Sequence, residues 1–372
     1  MAKNKQLHVV IVGGGMVAGY GHLPGFCRLK ELWVSLCEPR SSVRREYRDL
    51  YHFHREYSDF VEVLADGTVN AVVIATPVYL HCEQVTQAAK AGKHVLCEKP
   101  MAATVEDCDK MISACKANNV ILMLGFMKRF NPGFEKVADL IKSGRIGPVM
   151  GYQLEWTYGP GIQDESFDVG WRGDEKCGGG IFQDHGSHFI DLLRWWVGDI
   201  KGVSGEILCV NRKYSEDHAI ALIEHTSGAI GTIHASSLMP GPYKETGILN
   251  GGKKSLSFTA PWISATSKEL PRLEIFDGNS IMDESIYRGT DPKVVEENFM
   301  FNRQAGHFID CIKNNKQPRV TGKDGRAAIE VINAVYYSAL TEMKVKLPLT
   351  ATSQFHSVFK ERRRRFGVTG TV

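Results

Sequence analysis

The sequence has no long apolar run, no strong excess of charge and no paired cysteine motif, and each absence excludes a class of protein. No stretch of the 372 residues approaches the ~18 consecutive apolar residues that a membrane-spanning helix needs. Lys and Arg number 45 against 42 Asp and Glu, so the charge does not predict a nucleic acid or a membrane surface as partner. The nine cysteines include no Cys-x-x-Cys pair, which favours reduced core thiols over disulfides or a zinc site.

The start of the chain also lacks the features of a secretory signal. Residues Met1 to Gln6 pass directly into an apolar segment without a cleavage-like region. Together with the cysteine pattern, this predicts a cytoplasmic protein, and we expect no metal ion. The length predicts roughly two domains, and the sequence contains no internal repeats.

The first strong motif is a glycine-rich turn between an apolar strand and a helix. His8–Val12 is followed at once by Gly13-Gly14-Gly15-Met16-Val17-Ala18, which has the pattern Gly-x-Gly-x-x-Ala. Such a turn is tight at its first glycine and lets the backbone approach a pyrophosphate at its second. We therefore predict dinucleotide contacts at Gly13, Gly15, Met16 and Val17.

The next strand predicts which dinucleotide binds. Leu32–Cys37 ends in Glu38, about 20 residues beyond the glycine turn, as the dinucleotide fingerprint requires. A carboxylate at this position accepts hydrogen bonds from a ribose diol and repels a 2′-phosphate, so Glu38 favours NAD. Arg40 lies two residues later and keeps NADP open as the alternative.

Two further strands end in residues that can line a crevice. Val69–Ala75 stops at Thr76-Pro77, and the apolar run 94–97 stops abruptly at Glu98-Lys99-Pro100. Ligands of open parallel sheets bind beyond the carboxyl ends of the strands, so a lysine there can take part in chemistry. His81 is either a capping or core histidine or a neighbour of the cofactor. Further cofactor contacts are predicted at Ala75, Thr76, Pro77, His81, Glu98, Lys99 and Lys128.

The order of strands and helices predicts an α/β chain with two different domains. Strands alternate with helices up to residue 126, which indicates a Rossmann domain with a doubly wound parallel sheet. Later strands alternate with period two, which indicates an α+β domain on a mainly antiparallel sheet. We predict a dinucleotide-binding domain at 1–126, an α+β domain at 127–350, to which the family resemblance given below assigns substrate binding and oligomerisation, and a C-terminal tail at 351–372 whose Arg362–Arg365 run is solvated.

The second strong motif joins three glycines to a helix that carries acids and a histidine. Gly178-Gly179-Gly180 precede a predicted helix on which Asp184, His188 and Asp191 share one face, at about 100° per residue. Polar groups on a largely apolar helix are costly unless they are paired or used. Asp184 can orient His188 and raise its basicity, as a general base needs. The alternative is a satisfied Asp–His pair in the core.

Together, these motifs resemble the glucose-fructose oxidoreductase and inositol dehydrogenase (Gfo/Idh/MocA) family. The resemblance covers His8 to about Leu347 and implies a Rossmann domain followed by a domain with a large open sheet, through which homodimers or homotetramers form. It implies hydride transfer between NAD(P) and a hydroxyl of a sugar or cyclitol. The motifs that carry it are the glycine turn, Ala75-Thr76-Pro77, Glu98-Lys99-Pro100, and the series Gly179, Gly180, Asp184, Gly186, His188 and Asp191.

The resemblance also implies roles for individual residues. Lys99 would hold and polarise the substrate oxygen, and His188 would remove its proton. Asp184 would bind a neighbouring hydroxyl or orient His188, and Glu98 would help to place the nicotinamide. The Lys99-Pro100 bond is a candidate for the cis form. Substrate contacts are expected from Lys99, Lys128, Tyr158, Arg172, Asp184 and His188, with Tyr158 and Arg172 in a segment broken by Gly and Pro that suits a flap.

Two other functions remain open at the level of the sequence. One is a reductase or dehydrogenase of a phosphorylated or nucleotide-linked sugar, whose phosphate Lys128, Arg129 and Arg172 could bind. The other is a non-catalytic, dinucleotide-sensing regulator that binds a protein partner, because fold alone does not determine function. A sensor does not need both Lys99 and His188, so their presence favours the enzyme.

Overall fold

The computed structural model describes residues 6–159, 175–212, 214–260, 272–285 and 299–349. These residues form two compact units, and the chain passes between the units more than once. The first unit contains the described residues within 1–132 and 290–326, and the second contains those within 133–289 and 327–372. Two parts of the chain that are far apart in sequence therefore build each unit.

The first unit is built on a six-stranded parallel sheet with strand order β3-β2-β1-β4-β5-β6. The order reverses between β1 and β4, which is where open α/β sheets bind ligands. The strands are nearly continuous apolar runs because helices cover both faces of such a sheet. The elements are β1 (Leu7–Val12), α1 (Leu23–Cys27), β2 (Leu32–Cys37), α2 (Ser41–Leu50), β3 (Glu56–Tyr57), α3 (Phe60–Ala65), β4 (Ala71–Ile74), α4 (Val78–Lys90), β5 (His94–Cys97), α5 (Val105–Ala117) and β6 (Leu122–Leu124).

The second unit is built on a nine-stranded sheet with strand order β14-β13-β12-β11-β7-β10-β9-β8-β15. Only the β7–β10 pair is parallel among the strand pairs that the structure describes. The chain continues after β14 with α8 (Met300–Asn314), which belongs to the first unit. The elements of the second unit are α6 (Pro132–Lys142), β7 (Val149–Gly159), α7 (Ser187–Trp196), β8 (Ile200–Leu208), β9 (His218–His225), β10 (Ile230–Ser236), β11 (Gly241–Gly251), β12 (Ser255–Thr259), β13 (Arg272–Phe276), β14 (Ile281–Asp283), α9 (Gly322–Thr341) and β15 (Val345–Lys346).

Among the described residues, helices cover one face of the nine-stranded sheet, and large apolar side chains are exposed on the opposite, open face. The Phe258 ring of β12 lies 5.3 Å from the Phe134 ring of α6 and 5.9 Å from the Trp196 ring of α7. Gly205 of β8 approaches α9 so closely that a Cβ atom there would lie 2.6 Å from Val335. On the other face, alternate residues of β9 point away from these helices, and Ile220 and Leu222 are exposed.

The predicted fold class is confirmed: a Rossmann sheet is followed by a mixed, mostly antiparallel sheet. All nine cysteines are free thiols. Among the described residues, no helix combines the length and the apolar character needed to cross a bilayer. The division of the chain at residues 126 and 350 stays a prediction, as does the solvated tail, which lies outside the described residues.

Candidate active site

The glycine turn after β1 leaves a length of backbone open to a ligand. Gly13 has a φ of +99°, and a Cβ atom there would lie 2.7 Å from the carbonyl oxygen of Ala75, so only glycine fits. At Gly15, by contrast, no described atom outside Gly15 and its two neighbours in the chain lies within 4 Å of the place that a Cβ would occupy. Met16, the next residue, is also exposed. The turn therefore has the open, side-chain-free backbone that a pyrophosphate needs.

Glu38 binds the glycine turn directly. Its Oε2 accepts a hydrogen bond of 2.7 Å from the Gly14 N–H, and its Oε1 lies 2.7 Å from Nε of Arg40. Burial alone would raise the pKa of the Glu38 carboxyl, but the hydrogen bonds from Arg40 and Gly14 outweigh it and lower that pKa. The structure thus brings the two residues predicted to select the cofactor into one ion pair, next to the turn.

Glu98 is buried and links the helix that follows the glycine turn to the Glu98-Lys99-Pro100 segment. Its Oε1 lies 2.8 Å from Nε2 of His22, and its Oε2 accepts a hydrogen bond of 3.0 Å from the backbone N–H of Lys99. His22 is also buried, in a π-helical turn, Ala18–His22, that precedes α1. Gly125 makes room for the carboxylate, since a Cβ there would lie 2.7 Å from Glu98 Oε1. Lys99 itself is partly exposed, and the Lys99-Pro100 bond is cis.

His81 holds two strand ends together from inside the protein. Its Nε2 lies 2.9 Å from the carbonyl oxygen of Thr76, and its Nδ1 lies 3.0 Å from that of Pro100. Burial lowers the pKa of this imidazole. Only 1% of His81 is exposed, which favours the core histidine of the two interpretations above; a contact with the cofactor stays a prediction.

Lys128 lies on a short 3₁₀ turn, Met127–Phe130, directly after β6. Two arginines from later in the chain hold the end of this turn. Arg303 donates a hydrogen bond of 2.7 Å to the Phe130 carbonyl, and Arg319 donates one of 3.0 Å to the Arg129 carbonyl. Lys128 is buried, and its contacts with cofactor and substrate stay predictions.

The helix of the second motif begins differently from the prediction. Phe182–Gly186 forms a π-helical turn, and the α-helical part, α7, begins only at Ser187. The expectation of a uniform α-helix is therefore wrong for this turn, because a π turn is wider and its residues do not follow the 100° spacing. Asp184 is partly exposed, whereas His188 and Asp191 are almost fully buried.

Asp184 and its neighbours lie beside a group of aromatic rings in the second unit. The carboxylate of Asp184 is 3.7 Å from Nε2 of His185, and the His185 ring stacks on Trp156 at 3.7 Å. Tyr158, at the end of β7, is 6.4 Å from Trp156 and 44% exposed. Tyr158 is thus accessible, as a substrate-contacting residue must be. Arg172 lies outside the described residues.

Sequence reasoning missed several residues that support these sites. His22 and Glu216 are buried, and each makes its hydrogen bonds to a motif far away in the chain. Trp156 and His185 were also missed, and the stacking of their rings joins β7 to the π-helical turn Phe182–Gly186. Only His185, next to Asp184 in the second motif, carried a local signal that could have drawn attention to it.

Comparison with known proteins matches both halves of the chain to the domain models of one oxidoreductase family. Residues 7–126 match the model of an oxidoreductase family described as having an NAD-binding Rossmann fold. Residues 138–347 match the C-terminal alpha/beta domain of the same oxidoreductase family. The N-terminal region is therefore an NAD-binding Rossmann domain.

Relatives of this chain include two inositol dehydrogenases. It is 30% identical to the scyllo-inositol 2-dehydrogenase (NAD(+)) of Bacillus subtilis (strain 168), over 78% of this chain and 81% of that protein. It is 27% identical to the myo-inositol 2-dehydrogenase of Thermotoga maritima, over 84% of this chain and 90% of that protein. These alignments span most of both relatives.

Among solved structures, the aldose-aldose oxidoreductase of Caulobacter crescentus, complexed with glycerol, is similar to this chain. The TM-score is 0.80 at 26% identity, over 92% of this chain and all of that one. Levoglucosan dehydrogenase in complex with NADH and L-sorbose shares the fold, with a TM-score of 0.81 at 22% identity over 92% of this chain and 99% of that one. With both domain models matched in order along the sequence, the chain belongs to the Gfo/Idh/MocA family of oxidoreductases.

Proposed function

We propose that this protein is a cytoplasmic, NAD-dependent dehydrogenase that oxidises a secondary hydroxyl of a cyclitol or a monosaccharide. The observation that carries the proposal is the 2.8 Å contact between His22 and Glu98. His22 belongs to the helix that follows the open glycine turn, and Glu98 in turn accepts a hydrogen bond from the N–H of Lys99. The two contacts join the backbone of Lys99, the proposed catalytic lysine, to the helix after the glycine turn, and this supports the proposal.

The relatives support the substrate class. The names of the two inositol dehydrogenases state oxidation of cyclitols, and that of the Bacillus subtilis enzyme also states NAD(+) as cofactor. The exposed Tyr158 beside Trp156 supports a sugar-like ligand, because aromatic faces provide an apolar surface for carbohydrate rings. The partly exposed Asp184 can accept hydrogen bonds from a neighbouring hydroxyl.

In the proposed reaction, the glycine turn and Glu38 would hold NAD⁺, which would supply the acceptor for the hydride from the carbon that carries the hydroxyl. Lys99 donates a hydrogen bond from its ammonium group to the hydroxyl oxygen and stabilises the negative charge that develops there. His188 takes the hydroxyl proton, so that the alcohol loses one hydride and one proton and becomes a ketone. Acid–base help of this kind contributes about 10²–10⁴ in rate.

Turnover assays test this proposal. Purified protein is mixed with NAD or NADP and with single members of a panel of inositols, aldoses, amino sugars, sugar phosphates and nucleotide-linked sugars. We expect NADH to form with a cyclitol or an unphosphorylated sugar, with NAD preferred. Turnover confined to sugar phosphates or nucleotide-linked sugars would replace the proposed substrate class. Binding of NAD by calorimetry without any turnover, together with a stable protein partner, would favour a sensor.

We further propose that the protein forms a homodimer or homotetramer through the open face of the nine-stranded sheet. Several large apolar residues lie exposed on that face: Ile220, Leu222, Ile230 and Ile248. Neighbouring strands place Ile230 opposite Glu224 and Thr232 opposite Leu222, so the apolar residues alternate with polar ones along one continuous surface. Exposed apolar patches of this kind are typical of interfaces between subunits.

Light scattering tests this assembly. Changing both Ile220 and Leu222 to glutamate is expected to give monomers, because charges would be buried without partners in the interface. Val61→Glu is the control, since Val61 is 66% exposed and lies in the first unit. An oligomer that survives the double substitution at unchanged mass would rule this face out.

A further inference from the structure

A buried carboxylate in the second unit holds the start of the helix that carries Asp184 and His188. Glu216 precedes β9 and is 0% exposed. Its Oε2 accepts a hydrogen bond of 2.7 Å from the Gly180 N–H, and its Oε1 accepts one of 2.8 Å from the Phe182 N–H. The hydroxyl of Tyr336, in α9, donates a third bond of 2.9 Å to Oε1. Both carboxylate oxygens are therefore occupied by donors.

The same contacts explain the glycines of the second motif. A Cβ atom at Gly180 would lie 2.0 Å from the backbone oxygen of Glu216, and one at Gly179 would lie 2.4 Å from the Tyr336 hydroxyl. That backbone oxygen also accepts a hydrogen bond of 3.2 Å from the Ile181 N–H. The glycines thus allow the chain to lie directly against Glu216 and Tyr336, where any side chain would collide.

A short chain of hydrogen bonds leads from Glu216 to the proposed catalytic residues. Gly180 donates its N–H to Glu216, and its carbonyl accepts a bond of 2.9 Å from the Asp184 N–H. The Asp184 carbonyl in turn accepts a bond of 3.0 Å from the Ser187 hydroxyl, next to His188. A displacement at Gly180 would therefore pass along the π turn to both residues.

We propose that Glu216 is a positioning residue of this enzyme, whose carboxylate, supported by the Tyr336 hydroxyl, sets the placement of Asp184 and His188. This inference rests on the proposed dehydrogenase function. Glu216 would touch neither substrate nor cofactor, and it would act only through the helix start. Errors of about 1 Å in the placement of a reacting group cost up to about a hundredfold in rate, so a mispositioned helix start should be visible in kcat.

Glu216→Gln is the informative substitution because it keeps the size of the side chain. In either orientation of the amide, its NH₂ group faces a backbone N–H, that of Gly180 or that of Phe182, where the carboxylate accepted a bond. One of these two donors is then left without an acceptor. Tyr336→Phe is a milder variant, since it removes one donor and leaves the bonds to Gly180 and Phe182 intact.

The neighbouring residue provides a matched control. Asp217 is also buried, and its Oδ2 accepts hydrogen bonds from the backbone N–H groups of Val210, Asn211 and Arg212. Asp217→Asn removes the same charge from the same strand end but disturbs a loop rather than the helix start. Both variants should lose stability, by melting, to a similar extent.

The experiment combines steady-state kinetics with NMR of protein labelled with ¹³C at histidine Cε1, with the His188 signal assigned through His188→Asn. We expect Glu216→Gln to lower kcat about tenfold or more, to move the His188 signal, and to leave the Kd for NAD within about twofold. Tyr336→Phe should act in the same direction with a smaller effect. Asp217→Asn should leave both kcat and the His188 signal close to those of the wild type.

Equal effects of Glu216→Gln and Asp217→Asn on both readouts would overturn the inference, because both would then act through stability alone. An unchanged His188 signal in Glu216→Gln would overturn it as well. Wild-type protein that turns over no alcohol would refute the proposed function instead, and the His188 signal would still decide whether Glu216 positions the helix. If Glu216→Gln does not fold, Tyr336→Phe supplies the same comparison.

Discussion

Replacing Lys99 with methionine is expected to lower kcat by about 10² or more, while the Kd for NAD stays within a few-fold. Methionine keeps the length and apolar stem of the side chain but has no ammonium group to stabilise charge on the substrate oxygen. The glycine turn and Glu38, which are predicted to contact the dinucleotide, remain intact in this variant. Steady-state kinetics and calorimetric titration with NAD measure the two quantities separately.

Lys93→Met is the matched control for Lys99→Met. Lys93 lies just before β5, whereas Lys99 follows it, and Lys93 is buried. Its Nζ donates hydrogen bonds of 2.8 Å to the carbonyl oxygens of Asp66 and Val69, so its role is structural. The control should lower the melting temperature and leave kcat unchanged. A Lys99→Met variant with wild-type kcat would remove Lys99 from the mechanism.

His188→Asn is part of the same test and is also expected to lower kcat by about 10² or more. Its matched control is His225→Asn, because His225 is buried in the same unit and its ring bonds the Gly198 carbonyl and the Tyr152 hydroxyl, each at 2.9 Å. If Lys99 and His188 assist one proton transfer, kcat of the double variant will fall by a smaller factor than the product of the factors for the two single variants. Independent, multiplicative losses would contradict a shared step.

Local signals predicted most of the fold. The strand at Leu32–Cys37 has the predicted bounds, and β9 and β10 show the predicted period-two alternation of buried and more exposed residues. Apolar runs, alternation and glycine turns are properties of a few neighbouring residues, so one sequence is enough to reveal them. The glycine turn and Glu38 belong to this class, and the structure joins them by the Gly14–Glu38 hydrogen bond.

Features that depend on distant parts of the chain could not be predicted in this way. His22 and Glu98 are 76 positions apart, and Gly180 and Glu216 are 36 apart, so neither pair leaves a periodic signal. Both π-helical turns were also missed, because a single widened turn barely changes the apolar spacing of the helix. The triple glycine was recognised as a motif, but its reason, contact with Glu216 and Tyr336, required the three-dimensional structure.

The second large effect concerns the choice between NAD and NADP. Glu38→Gln is expected to lower the ratio of kcat/KM for NAD to that for NADP by about 10- to 100-fold, or about 1.4–2.8 kcal/mol. The amide still accepts a hydrogen bond from the Gly14 N–H, but it no longer repels a 2′-phosphate. It also releases Arg40, whose Nε lies 2.7 Å from Glu38 Oε1, to bind that phosphate.

Two variants separate the contributions of Glu38 and Arg40. Glu56→Gln removes one negative charge from the same unit, where Glu56 pairs with Arg48, and it should leave the cofactor ratio unchanged. Arg40→Met should weaken the use of NADP while the use of NAD stays within a few-fold, because Glu38 keeps its bond to Gly14. A cofactor ratio in Glu38→Gln equal to that of the wild type would show that this carboxylate does not select the cofactor. Selection would then depend on contacts other than the Glu38–Arg40 pair, even though this pair lies next to the turn that approaches the dinucleotide.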